Sequence, residues 1–151
     1  MSQNRTEGLA PRTLAIAWVG TFVVLFAANG LTHAGPGSRF FDAELAGIAS
    51  ARRMAGGSPL YAALIDLNLA LAMFLLTVRG IRPAHLPRDG AFVGGLLGLV
   101  ASLTWNLANH IVIVGWPMVV TLVDVSWHVG LGALAGYVMG RLLARAERRT
   151  A

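Results

Sequence analysis

Four apolar runs of about twenty residues each dominate this chain, at 13–32, 59–79, 90–112 and 117–140. The hydrocarbon core of a bilayer takes about 20 apolar residues of helix to cross. Within it every backbone N–H and C=O must be satisfied internally, which leaves such a run one stable form, the α-helix. Composition agrees: 56% of residues are apolar, 13% are charged and the mean hydropathy is +0.64, too apolar for a soluble domain of this size. The expected fold is an all-α integral membrane protein, a four-transmembrane-helix bundle forming one domain over residues 1–151. Arg5 and Arg12 before the first run and Thr32–Gly35 after it also fit a secretory leader, but the run is long for one, and it is read as a span.

The charge pattern points to a membrane and away from nucleic acid. Twelve basic residues against seven acidic give a net charge of +5, and every basic residue is Arg. These arginines flank the apolar runs and form no stripe interleaved with aromatics, so no nucleic-acid partner is expected. With the N-terminus inside, Arg5, Arg12, Arg79, Arg82, Arg88, Arg141, Arg145, Arg148 and Arg149 fall on the cytoplasmic side, and only Arg39, Arg52 and Arg53 fall outside. Positive residues accumulate on the cytoplasmic face. Both termini are therefore expected in the cytoplasm, with 141–151 a basic tail against anionic headgroups. The segment 33–58 is expected outside, as a short interfacial helix between spans one and two: Phe41, Leu45 and Ile48 are helically spaced among Asp42, Glu44, Arg52 and Arg53. There is no cysteine, hence no disulfide or thiolate site.

Small residues indicate how the helices meet. Gly94, Gly98 and Ser102 stand at i, i+4, i+8 on the third span, and Gly132, Gly136 and Gly140 do so on the fourth. Such stripes permit close backbone approach, either inside the chain or between copies in a homo-oligomer.

An ionisable residue inside a span is costly, and each one is a functional hypothesis. Asp66 lies seven residues after Pro59, and Asp124 seven after Pro117. At 1.5 Å per residue both sit about 10 Å below the outer boundary. Asn68, Asn106 and Asn109 fall at similar depth, and Asn29 lies near the outer end of span one, so all four spans contribute to one polar layer. Asp124 and His128 share a face at i, i+4, where a carboxylate can orient an imidazole, and Asn106, Asn109 and His110 share another. Trp105 and Trp127 lie within this zone and can wall a pocket or donate an indole N–H to an aspartate; Trp116 belongs to the interfacial aromatic belt. His33 and His85 lie in or beside loops and read as solvated. No H-x-x-x-H or E-x-x-H motif is present, so neither a metal nor another cofactor is expected.

The sequence WNLAN, then GWP, then VDVSW resembles the pattern Tyr-Asp-Leu-Thr-Asn, Gly-Trp-Pro and Asp-x-x-Trp-Gly of a bacterial family of small four-span membrane proteins, that of domain of unknown function 2177. Trp105, Leu107, Asn109, Gly115, Trp116, Pro117, Asp124 and Trp127 match by identity or aromatic type, mainly within residues 98–140. Asn106 replaces the pattern's Asp, Ala108 its Thr and His128 its Gly, so one carboxylate is lost and an imidazole gained. The resemblance implies a multi-pass protein of the bacterial cytoplasmic membrane and brings no reaction with it.

Three function classes fit such a layer. A binding or accessory protein for a membrane lipid or other amphiphile ranks first, because its pocket combines apolar walls with a few convergent polar groups. A proton-coupled small-solute carrier would titrate Asp66 and Asp124. A membrane-embedded enzyme would use Asp124 and His128 as an acid–base pair. No phosphate loop, haem motif or Ser-His-Asp order is present to decide for enzyme activity.

Overall fold

The computed structural model describes residues 11–48, 59–80 and 86–150, which are almost wholly helical. Five helices follow in order: α1 Pro11–His33, α2 Ser38–Glu44, α3 Pro59–Gly80, α4 Leu86–Val112 and α5 Met118–Thr150. Proline sets the starts. Pro11 and Pro59 open α1 and α3, and Pro87 lies in the first turn of α4, where a missing N–H breaks no helical bond. Between α4 and α5 the chain turns within 113–117, where Gly115 adopts φ +83°, a conformation that strains any residue with a side chain.

Three helices are long and apolar enough to cross a bilayer, over Pro11–His33, Pro87–Ile111 and Met118–Ala146. Their outward faces carry large apolar side chains exposed to the surroundings, among them Phe92 at 71%, Val100 at 56% and Leu122 at 61%. Water would penalise such a surface and lipid does not. The fourth long helix, α3, has a shorter apolar stretch, Ile65–Leu76. Within the segment 33–58 expected to hold an interfacial helix, the described residues form one over Ser38–Glu44; residues 49–58 lie outside the described ones, as do His85 and the N-terminal residues 1–10. The basic tail from Arg141 to Thr150 continues α5 without a break.

α5 is central: it packs most extensively on α4 and also against α1, while α3 packs on α1 and α4. Glycine sets the α4–α5 seam. A Cβ placed on Gly94 would fall on the carbonyl oxygen of Gly132, one on Gly136 would fall on that of Gly90, and one on Gly98 on that of His128. The two stripes thus face each other inside the chain, antiparallel. At the end of the bundle that holds the start of α1 and the later turns of α5, the interior is mainly apolar, with Ala17, Leu25, Met73, Ala135, Met139 and Leu143 buried together and Thr21 and the Trp18 indole N–H among them. The polar residues are gathered at the opposite end.

Candidate functional site

The α4–α5 seam continues from glycine into polar residues without changing face. One helical row runs Gly94, Gly98, Ser102, Asn106 on α4, and its partner runs Gly136, Gly132, His128, Asp124 on α5. Because glycine brings the backbones so close, Ser102 reaches across the seam. Its hydroxyl donates to Asp124 Oδ2 at 2.6 Å, and the Asn106 amide donates to the same oxygen at 2.7 Å. Asn106 is itself held by the Ser102 carbonyl at 3.0 Å and by the Trp116 indole N–H, which donates to Asn106 Oδ1 at 3.3 Å.

The other carboxylate oxygen faces two imidazoles. Oδ1 of Asp124 lies 3.3 Å from His128 Nδ1 and 3.7 Å from His33 Nε2. His128 Nδ1 also lies 2.8 Å from the main-chain carbonyl of Asp124. A carbonyl can only accept, so Nδ1 carries the proton. The His33 ring stacks against that of His128 at 5.9 Å and packs on Phe41 of α2 at 4.7 Å, so the α1–α2 corner covers this group. Asp124 is buried, whereas the His33 side chain is 42% exposed and forms the edge of the group.

A second station lies beside it. Asn29 of α1 donates to Asp66 Oδ1 at 2.6 Å, and Asp66 is buried. The two aspartates make no hydrogen bond with each other among the described residues. Two polar atoms in this layer are buried without a partner, Asn29 Oδ1 and Asn109 Nδ2. His110 bonds Thr121 across the hairpin at 3.0 Å.

Depth and face are separate matters, and three expected residues show it. Asn68 is exposed, because two residues from Asp66 is about 200° around a helix. Trp105 and Trp127 are 54% and 38% exposed, each a neighbour in sequence of a buried or half-buried member of the layer and so turned about 100° away from it. Neither gives an indole N–H to an aspartate among the described residues. Trp116, assigned to the belt, supplies the indole donor of the layer. His33, read as solvated, is exposed but also approaches Asp124. Ser102 is a further member, and Asn29, expected in the layer by its depth, bonds Asp66. Ser102 could be read from its place on the glycine row, and Asn29 and His33 from the row Ala17, Thr21, Leu25, Asn29, His33 on α1.

The described residues are almost wholly helical and include three helices long and apolar enough to cross a membrane, which is the character of a helical membrane protein. The chain belongs to the family of predicted membrane proteins designated DUF2177, which it matches over residues 14–140. No curated protein and no solved structure matches it.

Proposed function

We propose that the chain is a four-span protein of the bacterial cytoplasmic membrane, with both termini inside, and that its outer-half polar layer binds the headgroup of a lipid or other amphiphile. The fourth span follows from direction. α1 and α4 each run antiparallel to α5, so the chain must return across the bilayer between α1 and α4. α3 packs on both and, at 22 residues, is about 33 Å long.

The observation that carries the binding reading is unused hydrogen-bonding capacity in the polar layer. Asp124 Oδ1, Asn29 Oδ1 and Asn109 Nδ2 lie in that layer, the last two buried and unpartnered, and His33 stands at its exposed edge. Buried polar atoms are normally paired, so the two in the layer call for a ligand or ordered water, while the Trp18 indole N–H is left open in the apolar half. A through-going carrier is favoured less, because Leu25, Met73, Met139 and Leu143 fill the other half of the bundle with apolar side chains.

The test is native mass spectrometry of protein extracted from its own membranes. The wild type is expected to retain an amphiphile adduct, and Asp124→Asn and Asn109→Leu to lose most of it while melting as cooperatively as the wild type. Absence of any wild-type adduct, or equal retention by both variants, would refute the reading.

A further inference from the structure

We propose that His33, Asp124 and His128 form a binding site for a divalent transition-metal cation of the zinc type. Each residue offers one ligand atom, and the three atoms lie within 4.8 Å of one another. Around a tetrahedral ion with bonds of about 2.0–2.2 Å, ligand atoms sit roughly 3.3–3.6 Å apart. The Asp124–His128 distance, 3.3 Å, lies in that range and the Asp124–His33 distance, 3.7 Å, just beyond it. His33, at the exposed edge, has to close on both partners.

The surroundings of Asp124 are those of a ligating carboxylate. Ser102 and Asn106 both donate to Oδ2, which fixes the plane of the group and leaves Oδ1 turned toward the imidazoles. Hydrogen bonds of this kind orient and tune metal ligands. Two imidazoles and one carboxylate, without thiolate, suit zinc and its neighbours and suit calcium or magnesium poorly. To ligate through Nδ1, the neutral His128 ring shifts its proton to Nε2 and gives up the bond from Nδ1 to the Asp124 carbonyl. Asp124 supplies one negative charge to the cation. With three protein ligands, a fourth position stays open toward the exposed edge, as in exchangeable or catalytic zinc sites.

The inference uses the same side chains as the amphiphile reading but does not require it. Protein without a polyhistidine tag is stripped with EDTA and placed in phosphatidylcholine nanodiscs. Zn2+ is then titrated calorimetrically, and Co2+ is added in parallel because its visible spectrum reports ligand geometry. The wild type is expected to bind one ion per chain saturably. His33→Ala and His128→Ala should each weaken binding at least about tenfold, and Ser102→Ala about ten- to a hundredfold. His110→Ala, outside the cluster, should leave binding unchanged. His33 is exposed, so its variant remains informative even where Asp124→Asn fails to fold. No saturable wild-type binding, or wild-type affinity in both histidine variants, overturns the site. Repeating the adduct measurement in EDTA separates the two ideas: an adduct without metal binding refutes only the metal site, and metal binding without an adduct supports it and refutes the amphiphile.

Discussion

Asp124 is the residue on which the layer depends, because four side chains from two other elements and its own helix are aimed at it. Ser102→Ala removes one of two hydrogen bonds to a buried carboxylate and should cost about 1–3 kcal/mol, read as a lower unfolding midpoint in detergent. An unchanged midpoint would mean that water replaces the hydroxyl. Asp66 allows a cleaner contrast. Asp66→Asn keeps an oxygen for the Asn29 amide and should melt near the wild type. Asp66→Leu leaves Asn29 buried with neither end paired and should lose about 1–3 kcal/mol. Equal melting of the two variants would show that the Asn29 bond contributes nothing. The chain's departures from the family pattern also make sense here. With Asp at 106, two carboxylates would face each other at the present 2.7 Å contact; Asn106 instead donates to Asp124, and His128 brings an imidazole to the oxygen left over.

At the scale of helices, the spacing of small residues carried more information than hydropathy. The rows Gly94–Asn106 and Asp124–Gly136 are visible in the sequence as residues four apart, and they place the seam and the polar cluster on one face. What depth alone could not supply was rotation about the helix axis, which is why Asn68, Trp105 and Trp127 fall outside the cluster. Nor could a linear motif show His33 beside Asp124, since that pairing depends on how α1 leans on α5. The glycine seam itself makes a sharp prediction within a single helix. Gly130 is exposed with nothing near its absent side chain, whereas a Cβ on Gly132 would strike the carbonyl of Gly94. Gly130→Ala should therefore stabilise by roughly 0.5–1 kcal/mol through helix propensity. Gly132→Ala should destabilise by about 1–3 kcal/mol by forcing α4 and α5 apart. Equal effects of the two substitutions in a thermal melt would mean that the seam opens in the membrane.

For the whole molecule, the two ends of the bundle differ in charge as well as in chemistry. Arg12, Arg88, Arg141, Arg145 and Arg148 lie at the end away from the polar layer, and Arg39 lies on α2 at the end that contains it. Under the proposed orientation, the positive-inside rule would put the layer in the outer half of the bilayer. Reporter fusions test both this orientation and the return of the chain through α3. An alkaline phosphatase, active only outside the cytoplasm, should be silent when fused after Ala151 and active when inserted near Gly56. The informative site is the 81–85 connection. If α3 crosses, a reporter inserted there lies on the opposite side from Gly56 and is silent. If α3 lies on the surface, the two insertions report the same side, and α4 would have to enter the membrane from the end where α1 leaves it. That arrangement is incompatible with α4 and α1 both running antiparallel to α5, so activity at both insertion sites would overturn the bundle as well as the four-span topology. Silence at Gly56 with activity at 81–85 and at the C-terminus would keep the bundle but invert it, moving the Asp124 cluster to the cytoplasmic half and its ligand with it.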